Sequence, residues 1–146
     1  MIILDKACSG ENAASIFHYL ISAVPQSLDY LIFDYSEDEE GHATWDAMAS
    51  APAPRVAALA SEVEQVLQWA TRRFAGQRGA LDDGGDWDFD LQAQDDDGTP
   101  LAAGFDAASG RLTLQASASG HTTVSLSISG NAQFAAAFGD AFHWDD

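Results

Sequence analysis

From Trp87 onward the chain takes up a hydrophobic period of two, and this restricts its fold more than any other feature. Trp87, Phe89, Leu91 and Ala93 alternate with Asp88, Asp90, Gln92 and Gln94. Leu112, Leu114 and Ala116 alternate with Thr113, Gln115 and Ser117, and Val124, Leu126 and Ile128 with Ser125, Ser127 and Ser129. Successive side chains of a strand point to opposite faces, so these runs predict half-buried strands with a Ser/Thr/Gln/Asp face toward solvent. Asp97-Gly98, Ser109-Gly110 and Ser119-Gly120 punctuate them as turns, and Leu101 to Phe105 supplies a further strand. A four-stranded antiparallel meander is the economical arrangement.

Before Trp87 the rhythm is helical. Val56, Leu59, Val63, Val66, Leu67, Ala70 and Phe74 follow one stripe of a period of about 3.6 residues. Arg72 and Arg73 complement the negative helix end, and Gly76 offers a stop. Ser61 to Glu64 imitates a capping box, but the stripe already begins at Val56. Ala13, Ile16, Phe17, Leu20 and Val24 predict an earlier helix over 11–24, with Ser9 near its start and Pro25 at its end. Leu28 to Tyr35 and His42 to Ala49 flank the acidic turn Ser36–Gly41 as a hairpin. After Gly130, Asn131 can cap a last helix carrying Phe134, Phe138 and Phe142. The predicted order is α-β-β-α-β-β-β-β-α: a single acidic α+β domain over 1–146, hairpin plus meander, with helices packed on one face.

Charge then narrows the partners. The chain has 23 Asp and Glu against 6 Lys and Arg, a formal net charge of −17. Residues 81–146 hold 12 of the acids and a single base, Arg111. Such a field repels nucleic-acid phosphates and anionic lipid and accelerates encounter with a cationic protein. The expectation is a basic protein partner, with no direct nucleic acid and no membrane; solubility alone is the competing explanation of the acidity. Cys8 is the only cysteine, which excludes an intrachain disulfide and a multi-cysteine zinc site. Met1 to Cys8 lacks the basic leader of a secretion signal, and Asp5 and Lys6 break any lipobox, so the expected compartment is the cytoplasm. The sequence leaves the oligomeric state open.

No motif in the chain specifies a reaction. Asp82 to Asp97 is rich in oxygen ligands, but counted from Asp86 an EF-hand's sixth and twelfth positions hold Leu91 and Asp97 instead of Gly and Glu. Asp88 and Asp90 share a strand face at a glycosidase-like spacing, without an apolar pocket to raise either pKa. Cys8 has no recognisable base among His18, His42, His121 and His143, and these histidines lack metal-ligand spacing. We therefore expect no catalytic residues, no metal and no cofactor. Recognition falls to the clusters Glu37, Asp38, Glu39, Glu40 and Asp82, Asp83, Asp86, Asp88, Asp90. Aromatic neighbours such as Tyr30, Tyr35, Trp45, Trp87 and Phe89 serve as support.

The clusters Glu37–Glu40 and Asp82–Asp90, with the stretches Gly41–Ser50 and Leu81–Asp88, give the chain a character that resembles the small acidic immunity proteins bacteria pair with polymorphic toxins, including those of contact-dependent growth inhibition. The resemblance implies tight, non-catalytic binding of a basic cognate toxin, without implying one fold. Two other classes stand beside it: a DNA-mimicking regulator, and a small enzyme or calcium-dependent module built on Asp82–Asp97.

Overall fold

The acidic turn folds the chain back on itself as expected. β1 (Phe33–Glu37) pairs antiparallel with β2 (Ala43–Pro52) in a computed structural model that describes residues 28–142. Asp38 shapes the turn: its Oδ1 accepts from the backbone N–H groups of Glu40 and His42, each at 2.9 Å. The helix expected over 11–24, with Ser9, His18 and Pro25, lies outside the described residues, as do Cys8 and the His143–Asp146 tail. Residues 28–136 belong to one compact unit, which holds every strand among the described residues; residues 137–142 fall in a second.

A short 3₁₀ turn, Ala53–Arg55, leads into α1 (Val56–Arg73). The helix starts where its apolar stripe starts, which leaves Ser61 to Glu64 in its interior. Val56, Leu59, Val63, Val66, Leu67 and Ala70 are buried along that stripe, and α1 lies against β2. Glu62 is buried on the same helix, and its carboxylate accepts from three successive backbone N–H groups, those of Asp29 (2.5 Å), Tyr30 (2.9 Å) and Leu31 (3.1 Å). One carboxylate thus fixes the segment entering β1.

The second half contains β3 (Trp87–Gln94), β4 (Pro100–Leu101), β5 (Ala103–Asp106), β6 (Arg111–Leu114), β7 (His121–Gly130) and α2 (Ala132–Phe142). The protein is therefore α+β, with the strands where the alternation places them. Their arrangement corrects the meander. The sheet runs β1-β2-β7-β3-β4, all antiparallel, and β5 and β6 form a separate two-stranded sheet. β7 takes the central place because it has ten residues and its Val124, Leu126 and Ile128 are buried, so it can fill both neighbours' ladders. The expected strand Leu101–Phe105 divides at Ala102, whose N–H donates to Gln115 Oε1 (2.9 Å) and whose carbonyl accepts from the Gln115 N–H (2.8 Å). The small sheet is tied to α1 instead: Leu112 N–H donates to Glu64 (2.8 Å) and Gln68 Nε2 to the Gly110 carbonyl (2.6 Å).

The core gathers on the inner face of the large sheet around Phe134. Its ring lies 5.0 Å from Phe74, 5.6 Å from Trp87, 5.8 Å from Trp45 and 5.9 Å from Trp69, centroid to centroid. Gly130 makes this possible, because a Cβ there would stand 2.3 Å from the Phe134 ring. Asn131 caps α2 as expected: its Oδ1 accepts from the Phe134 N–H at 2.9 Å.

Candidate protein-interaction surface

β7 connects the two halves of the chain, and its register decides which side chains meet. Asp46 of β2 and Asp90 of β3 both pair with Ser127, and Asp34 of β1 pairs with Asp46. Residues in register share a face, and here it is the face opposite Trp45, Leu126 and Ile128. Neighbouring strands are about 4.8 Å apart, so Asp34, Asp46, Ser127 and Asp90 form one row with Asp90 about 10 Å beyond Asp46. The row lines an open concavity of about 340 Å³ with Ser125 and Met48 at its side.

Two properties separate this row from ordinary surface acidity. Asp34 and Asp46 are directly opposite each other, an arrangement in which like charges oppose strand pairing. Neither carboxylate has a hydrogen-bond or ion-pair partner among the described residues. Large apolar side chains also stand beside the row: Met48 is 69% exposed and Ile32, two residues before Asp34, is 80% exposed. Aromatic or aliphatic contacts set among charges are what protein interfaces use.

The structure distributes the sequence-predicted residues among different tasks. Glu37, Glu39 and Glu40 are exposed at the hairpin tip, where Asp38 is occupied by the turn and lies 3.5 Å from His42 Nδ1. Asp82 and Asp83 are exposed in the 3₁₀ turn Leu81–Asp83. Asp86 is bound internally, accepting from Asn131 Nδ2 at 2.9 Å. Asp88 pairs with Arg78 at 2.8 Å, and the Arg78 guanidinium lies 4.2 Å over the Phe89 ring. Phe89 and Leu91 are half-buried, while Trp87 and Ala93 are buried. Of the second cluster, Asp90 alone joins the row across the sheet.

Asp46 is the residue that sequence reasoning misses, and Asp34 stands in the sequence only as an acid beside Tyr35 ahead of the acidic turn. A local signal for their pairing existed, since both lie equally far from the centre of the hairpin. Their alignment with Asp90 depends on β7, far along the chain, and has no local signal.

The arrangement sets three carboxylates where they attract cationic groups. Among the described residues no group of three or more His, Cys, Asp or Glu is placed to hold a metal ion, and no helix is long and apolar enough to cross a membrane. No protein-family model, curated protein or solved structure matches the chain.

Proposed function

We propose that this chain is a non-catalytic protein-binding domain that takes a basic protein partner on the outer face of its large sheet, and that it acts as a bacterial immunity protein neutralising a cationic toxin. The observation that carries the reading is the pair Asp34 and Asp46, set opposite each other with no partner among the described residues and continued by Asp90. A partner's ammonium or guanidinium group relieves their repulsion, while Met48 and Ile32 supply apolar contact beside it. The net charge of −17 steers a cationic protein toward the surface before the contact forms. Cytoplasmic residence goes with this reading, since a chain with one cysteine has no intrachain disulfide that requires an oxidising compartment.

The test is co-expression with the adjacent gene product, scored by rescue of growth, with association kinetics followed against salt. The reading expects rescue and an on-rate that falls steeply as salt rises, because exposed charges beyond a Debye length of about 8 Å are screened at physiological ionic strength. A partner of neutral or acidic surface, bound at a salt-independent rate, contradicts it.

A further inference from the structure

From Gln94 to His121 no residue is buried, although the chain builds β4, β5 and β6 there. Ordering such a segment costs conformational entropy that little core burial offsets, so its polar contacts decide how firmly it is held. Its two ends are fixed. At one end β4 pairs with Ala93 and Gln94 of β3. At the other, Ser117 N–H donates to Thr122 Oγ1 (2.8 Å) and His121 N–H to Asp96 Oδ2 (3.1 Å). Between the ends β5 and β6 form a sheet of their own, closed at its neck by the two Ala102–Gln115 hydrogen bonds.

A lone two-stranded hairpin is marginal in water, so this one depends on what it rests against. Glu64 and Gln68, one turn apart on α1, grip β6 and its turn through the Leu112 N–H and the Gly110 carbonyl. Phe105 stands edge-on to Phe89 of β3 at 6.2 Å, and Phe105, Leu112 and Leu114 are half-buried. A concavity of about 260 Å³, lined by Leu91, Leu101 and Ala103 among others, opens at the neck.

We propose that β5–β6 is a flap: hinged at Ala102 and Gln115 and clasped to α1 by Glu64 and Gln68, it opens from the native domain while the five-stranded sheet stays intact, and it uncovers Phe89. Opening gives up a two-residue clasp at partly exposed positions and one ring contact, whereas opening the large sheet would break up the buried Phe134 cluster. The flap is a device of the fold and does not depend on which partner the domain binds.

Native-state amide exchange on the full chain tests the flap. Leu112 reports the clasp, Gly104 and Thr113 report the hairpin ladder, and Leu126 reports the central strand. The three flap amides should exchange at least about a hundredfold faster than Leu126. Their rates should stay nearly flat in urea below the unfolding transition, while that of Leu126 climbs, because a small opening exposes little surface. Ile128→Val, at a fully buried position in β7, weakens the closed and open forms alike. It should speed exchange at Leu126 about twofold to tenfold and leave the flap amides unchanged. Glu64→Ala should speed exchange at Leu112, Gly104 and Thr113 about fivefold to tenfold, and Glu64→Gln, which keeps an acceptor oxygen, should do so less. Flap amides that exchange at the Leu126 rate, or that Ile128→Val accelerates as much as Leu126, would show that the hairpin opens only when the domain unfolds and would overturn the proposal. A Leu112 rate unchanged by Glu64→Ala would overturn it too, because the clasp would then hold nothing.

Discussion

The two faces of the strands β2, β7 and β3 share one backbone and differ in almost every interaction. On the inner face Trp45, Ile128, Leu126 and Trp87 are buried, and Phe134 packs against the two tryptophans. On the outer face the same strands present Asp46, Ser127 and Asp90, with Met48 uncovered. A carboxylate shows the contrast most directly. Glu62, on the core side, is satisfied by backbone N–H groups, whereas Asp34 and Asp46 face each other without a partner among the described residues. Burial forces a polar group to be paired, and exposure allows a repulsive one to persist. The comparison teaches that the groups that hold the fold together and the carboxylates left open to solvent lie on opposite sides of the sheet and can be altered separately.

The sharpest way to break that separation is to empty the centre of the inner face. Phe134 is fully buried among four aromatic rings, so Phe134→Ala should cost roughly 3–5 kcal/mol, read as a lowered urea midpoint and a loss of near-ultraviolet aromatic circular dichroism. A loss below about 1 kcal/mol would mean that the ring cluster is not what holds the unit together.

Second in size is the buried carboxylate. Glu62→Ala leaves the N–H groups of Asp29, Tyr30 and Leu31 without their acceptor and should destabilise by about 2–3 kcal/mol. Glu62→Gln retains one acceptor oxygen and should lose less. Amide exchange locates the effect: protection should fall at residues 29–31 before it falls in β7. Equal exchange in the variant and the parent would show that the Glu62 contacts do not fix this segment.

These two sites also mark how far the sequence could be read. Phe134 is legible, because its four-residue recurrence with Phe138 and Phe142 after a capping Asn announces an amphipathic helix. Alternation likewise reveals β3 and β7 and the face each buries. Glu62 is not legible as an anchor, since its partners are backbone groups more than thirty residues away. Strand order fails for the same reason: period two says which side chains share a face but not which strand lies next door, and β7 inserts between β2 and β3. The acidic clusters are visible as composition, yet Asp86 and Asp88 are engaged by Asn131 and Arg78, while Asp46, isolated in sequence, joins the row. Local pattern reports the chemistry of a residue. Its neighbours in space are set by the register of distant strands.

A third, smaller effect tests the junction between the sheet and the last helix. Asn131 caps α2 through its Oδ1 and binds Asp86 through its amide, so Asn131→Ala should cost about 1 kcal/mol. Asn131→Asp keeps the capping oxygen but sets a second carboxylate against Asp86. If the cap alone matters, Asn131→Asp should retain parental stability in urea unfolding; if the Asp86 contact matters equally, it should unfold as readily as Asn131→Ala.

The smallest effect runs in the opposite direction. Asp34 and Asp46 are directly across from one another, so Asp46→Asn should remove a repulsion and stabilise the domain by roughly 0.2–0.5 kcal/mol. Salt provides the control, because screening weakens the repulsion in the parent and leaves little to weaken in the variant. The gain in melting temperature should therefore be largest at low ionic strength and shrink as salt is added. Asp90→Asn should give less, since Asp90 is opposite Ser127 and has no carboxylate directly across the ladder. If Asp46→Asn stabilises the free protein and slows association with a basic partner, the outer face carries a charge arrangement whose local cost to the fold is offset when the partner binds. If it destabilises the domain at every salt concentration, Asp46 belongs to the structure, and the division between a stabilising inner face and a binding outer face does not hold at this residue.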